Sequence, residues 1–167
     1  CNFSLINGFE NFSKIVKKEK QAGYYKRSKD SRKEDIEFFK FSKKNFDIFK
    51  DTINFLSNEL PHQTILVRPH PKERVSTWKK IFKNCKNIKV SNDQNFNYDL
   101  SNSKVLIHNS STTAFQAALS GVPVISFIPV KNNFSSHGEM ANKLGKMIES
   151  KEKLLLELKK ICFEKKL

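Results

Sequence analysis

Four short apolar runs, separated by segments of helical character, constrain the fold of this chain most strongly. They cover residues 64–67, 88–90, 105–108 and 124–127. Short apolar, β-branched runs are typical of buried parallel strands. Strands that alternate with helices predict βαβ units, and hence a parallel sheet with right-handed crossovers and helices on both faces. The pattern therefore predicts an α/β, Rossmann-like domain.

The segments between these runs predict the helices and the domain limits. Residues 34–60 form an amphipathic pattern, in which the spacing of the apolar residues indicates core packing. Further helices are expected at 76–84, 96–102, 111–120, 139–149 and 151–165. Residues 1–33 lack sustained periodicity, so we expect a linker or leader from an adjoining N-terminal domain, with a short helix at about 10–20. The Rossmann-like domain would then cover 34–167.

Charge and cysteines exclude several classes of protein. The formal net charge is +14, but the basic residues are spread along the chain and only four of the 31 are arginine. This distribution argues against a nucleic-acid partner. A weak attraction to anionic lipid stays open. Cys1, Cys85 and Cys162 form no CxxC pair, so we expect no disulfide and no metal site. No apolar run approaches the roughly 20 residues of a membrane helix.

The first candidate site follows the first predicted strand. In open α/β sheets, ligands bind outside the carboxyl ends of the strands. Arg68 offers a planar fork for phosphate or carboxylate, and two prolines, Pro69 and Pro71, hold His70 at the sheet edge. The alternative is that these are ordinary surface residues. Glu73 is expected to pair with Lys72 or Arg74 on the surface.

The second candidate site follows the third predicted strand. Ser110 and Ser111 are good N-cap residues, and a helix beginning there would direct its free N–H groups at a ligand. Hydroxyls of Thr112 and Thr113 add donors, so the segment could hold a phosphate without a metal. Equally, these residues could only cap their own helix. The GxGxxG, Walker and nucleophile-elbow motifs are absent from the sequence.

Three segments carry a resemblance to a known family. Residues 65–71, 105–113 and 117–126 resemble the bacterial surface carbohydrate biosynthesis proteins and, more distantly, the capsule-polysaccharide, sialyl-, Kdo- and glycerophosphotransferases of the GT-B fold. Asn2-Phe3 and the segment 141–145 are also similar to parts of that family. The resemblance implies the C-terminal half of a GT-B glycosyltransferase in surface polysaccharide biosynthesis, working without cofactor or metal.

By position, the resemblance implies that His70 stabilises the departing phosphate and that His70, Pro71, Ser110 and Ser111 hold the donor. Arg68, His108, Thr112 and Thr113 lie beside these matches as weaker donor contacts. Gln116 replaces the glutamate expected to contact the donor ribose, so it would keep a hydrogen bond but lose its charge.

The resemblance further implies a CMP- or CDP-linked nucleotide-sugar donor, and a glycan or lipid-linked acceptor bound with the missing N-terminal domain. The expected location is the cytoplasm, with peripheral contact at the inner membrane left open. Two alternatives remain: a sugar-nucleotide epimerase of the same fold, and a non-catalytic basic module that binds nucleic acid or anionic lipid.

Overall fold

A computed structural model describes residues 3–8, 29–93, 95–136 and 139–163, except for the side chains of 29–32 and 135–136. Helices and strands alternate along this part of the chain, and every strand pair is parallel. The predicted α/β, Rossmann-like class is therefore confirmed. The short helix expected at about 10–20 lies outside the described residues.

Five strands and six α-helices make up the described fold. The strands are β1 (Ile65–Val67), β2 (Ile88–Val90), β3 (Leu106–His108), β4 (Val124–Phe127) and β5 (Lys146–Ile148). The helices are α1 (Lys29–Glu59), α2 (Val75–Ile81), α3 (Phe96–Ser101), α4 (Thr113–Leu119), α5 (Glu139–Lys143) and α6 (Lys151–Phe163). A π-helical turn over Ser4–Gly8 and a 3-10 turn over Asn133–Ser136 complete the set.

The strands form two hydrogen-bonded sheets rather than one. β1 pairs with β2, and β4 lies between β3 and β5. Ile65 is opposite Ile88 in the first sheet, while His108 is opposite Ser126 in the second. Both sheets contribute side chains to the same hydrophobic core. The carboxyl ends of neighbouring parallel strands therefore share an edge within each sheet.

Helix α1 supplies much of the core that joins the two sheets. Phe46 and Phe49 are buried on one face, as the apolar spacing predicts. Phe49 packs against Phe127 of β4 at a centroid distance of 5.2 Å, and Phe46 packs against Trp78 of α2 at 5.0 Å. Phe3 lies between these rings, 5.6 Å from Phe46. Residues near the start of the chain are thus part of the core.

The helix predicted at 139–149 is wrong in its second half. Helix α5 ends at Lys143, and Lys146–Ile148 pairs with β4 as strand β5. Gly145 explains the change of structure, because a Cβ at this position would lie 2.3 Å from the carbonyl oxygen of Val124. The close approach brings the chain alongside β4, where pairing outweighs the helical pattern.

A second glycine ends helix α4. Gly121 has φ of +71°, a conformation that costs glycine little, and its N–H donates to the carbonyl of Ala118 at 3.1 Å. The expected end of this helix at about residue 120 is confirmed. Within the described residues, no helix has the length and hydrophobicity to cross a membrane.

Candidate functional site

The turn after β3 contains a serine in a conformation that serine rarely adopts. Ser110 has φ of +52°, which costs a residue with a Cβ about 1 kcal/mol. Its hydroxyl donates to Asn109 Oδ1 at 3.1 Å, and Asn109 Nδ2 donates to the carbonyl of Phe127 at 3.1 Å. Residues in such conformations cluster at functional sites, where surrounding bonds maintain them.

Asn142 of α5 provides the closest of those surrounding bonds. Its Oδ1 accepts the N–H of Ser110 at 2.8 Å, and its Nδ2 donates to Ser110 Oγ at 3.1 Å. The side chain of Asn142 is buried, with only 4% of the residue exposed. The sequence indicates this asparagine only as part of the segment 141–145, which resembles part of the surface carbohydrate family. Its contact with Ser110 is a finding of the structure.

His108 lies beneath the turn, not at its surface. The residue is 1% exposed, so the ring offers no face to a ligand, contrary to the expected donor contact. Ser126 donates its hydroxyl to the carbonyl of Asn142 at 2.8 Å, so the 3.0 Å contact with His108 requires Nε2 to carry the proton. Nδ1 then accepts the N–H of Ser111 at 3.3 Å. Burial lowers the pKa of His108 to about 4, which keeps the ring neutral.

The start of α4 differs from the sequence prediction. Neither Ser110 nor Ser111 is the N-cap; that position belongs to Thr112, whose side chain makes no capping bond. Ser111 Oγ instead lies 2.8 Å from Thr113 Oγ1. The amides of Ser110 and Ser111 are occupied by Asn142 and His108, so they are not free for an anion.

Several polar groups of this segment remain accessible. Ser111 and Thr113 are half-buried, while Thr112 and Gln116 are exposed. The Thr112 amide has no hydrogen-bond partner among the described residues. Any anion bound here would therefore contact hydroxyls and this one amide, instead of the row of amides that the sequence suggests.

Asn142, which bonds to the turn, also lines a cavity of about 430 Å³. The loop after β4, helix α5 and strand β5 line it, with Lys131, Asn132, Asn142 and Lys143 among the polar contributors. Its volume lies within the range of small-molecule sites. The two lysines are paired with carboxylates, Lys131 with Glu149 at 2.5 Å and Lys143 with Glu139 at 2.5 Å. The cavity surface is mostly apolar, and the paired lysines leave it without a concentrated positive charge.

The second cluster follows β1, where Arg68 is already engaged by protein acceptors. Its guanidinium pairs with Asp93 at 3.2 Å and with Asp99, and it lies 5.4 Å from the ring centroid of Phe96. The hydrogen bond from Arg68 lowers the pKa of Asp93. Arg68 therefore links the end of β1 to the segment after β2, and its expected donor contact stays a prediction.

His70 keeps one ring nitrogen for a ligand. Nδ1 accepts the N–H of Lys72 at 3.2 Å, so in the neutral ring the proton is on Nε2. The residue is half-buried, Pro69 is buried and Pro71 is exposed. The structure thus gives the His70 loop a defined turn with an Nε2–H donor.

Glu73 holds that turn from inside, and its expected place on the surface is wrong. It is 6% exposed, and its Oε1 accepts the N–H of His70 at 3.1 Å and that of Phe3 at 3.0 Å. Oε2 accepts Trp78 Nε1 at 2.8 Å and Asn7 Nδ2 at 3.4 Å. A glutamate three residues after the start of a turn, bonding back to its first amide, follows the logic of a capping box. The spacing of three residues between His70 and Glu73 is the sequence pattern that could have predicted this bond.

The two clusters end different sheets, and α1 lies between them. Asn109 Nδ2 is 3.5 Å from Asn45 Oδ1 of α1, while Phe46 of the same helix packs on Trp78. Across the described residues, no hydrogen bond joins the His70 loop directly to the segment 108–113. Their joint action on one ligand stays a prediction.

Comparison with known proteins completes the description. A family model described as LIC12162 family transferase matches residues 7–150. No curated protein and no solved structure matches the chain.

The described residues contain no group of three or more His, Cys, Asp or Glu placed to hold a metal ion.

Proposed function

The chain belongs to the LIC12162 family of transferases, and from that premise we propose that it binds the nucleotide-sugar donor of a glycosyltransferase. In this proposal the phosphate of the donor lies at the turn after β3, against the hydroxyls of Ser111, Thr112 and Thr113. The observation that carries the proposal is the strained Ser110, held by Asn142, which also lines an open cavity.

The chemistry of the segment suits an anion that is bound without a metal. Hydroxyl groups and the Thr112 amide donate hydrogen bonds to phosphate oxygens, and they do so from fixed positions. The adjoining cavity has room for the part of the donor beyond the phosphate. Gln116 is exposed on α4 and can donate to a ribose hydroxyl.

His70 is the proposed catalytic residue. Its Nε2–H would donate to the departing phosphate, where negative charge grows during transfer, and Pro71 would help to fix the loop. This role requires the His70 loop and the Ser111 turn to approach the same ligand. Helix α1, which contacts both regions, offers a scaffold for that arrangement.

The remaining parts of the proposal come from the resemblance to GT-B enzymes. A separate N-terminal domain would bind the glycan or lipid-linked acceptor and supply the catalytic base, and the product would be a bacterial surface polysaccharide made on the cytoplasmic side. The expected donor is CMP- or CDP-linked. Contact with the inner membrane would be peripheral.

Calorimetric titration with CMP, CDP and UDP tests the proposal. We expect saturable binding of at least one nucleotide, weakened about tenfold by Ser111→Ala and by His70→Ala because each removes a hydrogen bond to phosphate. His62→Ala and Ser76→Ala, at exposed positions, serve as matched controls with unchanged affinity.

Two results would overturn the proposal. One is the failure of all three nucleotides to bind the folded wild-type chain. The other is salt-sensitive binding of DNA or anionic vesicles that neither substitution changes, which would assign the +14 charge to a non-catalytic interaction module.

A further inference from the structure

The segment 141–145 has an assignable role in the structure. Ala141 is buried, Asn142 bonds to Ser110, and Gly145 lies against the backbone of Val124. Because glycine has no Cβ, residue 145 can lie against the Val124 carbonyl, and pairing of β5 with β4 keeps the end of α5 close to β4. The Asn142 side chain is therefore delivered to the β3 turn from a fixed position.

The bonds of Asn142 all converge on the turn or on its support. The amide side chain both accepts from and donates to Ser110, at 2.8 and 3.1 Å. Its carbonyl accepts from Ser126, whose oxygen accepts from His108, and His108 accepts from the Ser111 amide. The side chain of Asn142 thus constrains Ser110 directly, and its main-chain carbonyl supports Ser111 through Ser126 and His108.

We propose that Asn142 is a positioning residue, which holds the Ser110–Ser111 turn in the left-handed conformation that receives the phosphate of the donor. This inference rests on the proposed function for its ligand. Asn142 acts through Ser110, because the turn already uses both polar atoms of its side chain. A glycine adopts positive φ readily, so Ser110→Gly should make the turn largely independent of Asn142.

The test is a double-mutant cycle for nucleotide affinity. We expect Asn142→Ala to weaken binding of CDP about tenfold in the wild-type chain and less than about threefold in the Ser110→Gly chain. Asn84→Ala, at an exposed position, is the control and should leave affinity unchanged. If Asn142→Ala does not fold, Asn142→Gln keeps the amide but displaces it by one methylene, and the same coupling is expected.

Melting temperatures measured alongside separate positioning from general support of the fold. A purely structural Asn142 would lower the melting temperature in both backgrounds and weaken CDP binding by the same factor in each. Equal factors would therefore overturn the inference, even if both variants were destabilised.

A second readout needs no ligand. Hydrogen exchange at the Ser110 amide should be at least about tenfold faster in Asn142→Ala than in the wild-type chain, because this amide donates to the Asn142 side chain. Unchanged exchange would overturn the positioning role. A wild-type chain that binds none of CMP, CDP and UDP would instead overturn the proposed function, and the exchange result would still decide the role of Asn142.

Discussion

Acidification from pH 7 to pH 5 should destabilise this protein through the buried ring of His108. Burial lowers the pKa of His108 from its usual 6.5 to about 4 in the folded chain. The described groups that bond to the ring, Ser111 and Ser126, are uncharged, so they do not stabilise a positively charged ring. The unfolded chain therefore takes up this proton first as the pH falls.

The size of the effect follows from the two pKa values. Stability contributed by the neutral ring is fully present above about pH 6.5, and it declines until the pH reaches about 4. Over the interval from pH 7 to pH 5, the difference in proton uptake removes about 2 kcal/mol from the free energy of unfolding. The hydrogen bond from Lys143 lowers the pKa of Glu139 below its usual 4.5, so that group loses its contribution only at more acidic pH.

Urea unfolding at pH 7, 6 and 5, at constant ionic strength, measures the effect. His108→Asn removes the titration while its amide oxygen can still accept the Ser111 N–H, so its pH dependence should be smaller by about 2 kcal/mol. His62→Asn, at an exposed position, should behave as the wild-type chain. Equal pH dependence in wild type and His108→Asn would refute the reasoning. So would an NMR titration of the wild-type ring with a pKa near 6.5, which stays decisive if the variant does not fold.

Two further substitutions test the supports of the candidate site. Glu73→Gln should lower the free energy of unfolding by about 3 kcal/mol in urea titrations, because either orientation of the amide turns an NH₂ group toward two donors. Glu59→Gln, at an exposed position, is the control. An unchanged free energy of unfolding in Glu73→Gln would contradict the arrangement of four hydrogen bonds. Gly145→Ala should lower the free energy of unfolding by about 2 kcal/mol or more in thermal unfolding, because its Cβ would overlap the Val124 carbonyl. Gly121→Ala has open space around it and should lower the free energy of unfolding by only about 1 kcal/mol, for its positive φ. A loss at Gly145 no larger than that at Gly121 would argue against the close approach.

The strands were predictable wherever the local pattern was decisive. β2 and β4 match the predicted ranges, and β1 and β3 begin one residue later than expected. β5 escaped prediction because its three residues become a strand by pairing with β4, after the close contact of Gly145. That information lies in a tertiary contact, which no local periodicity records.

The candidate site shows a similar division. The sequence locates polar residues at the ends of β1 and β3, because parallel strands expose those ends. It does not show that Asp93 and Asp99 engage Arg68, since these partners are 25 and 31 residues away along the chain. His108 was expected at the edge, but its register partner Ser126 and the turn above it enclose the ring. Long-range pairing decides which of the strand-end residues remain available.

The aromatic face of α1 fixes how far apart the two loops stand. Phe46 contacts Phe3 and Trp78 on the side of the His70 loop, and Phe49 contacts Phe127 beneath the other turn. We expect replacement of one of these rings to change the separation, because the hydrogen bonds inside each loop do not involve them. If one ligand contacts both loops, as proposed, the length it must have depends on this buried packing as well as on the residues that touch it.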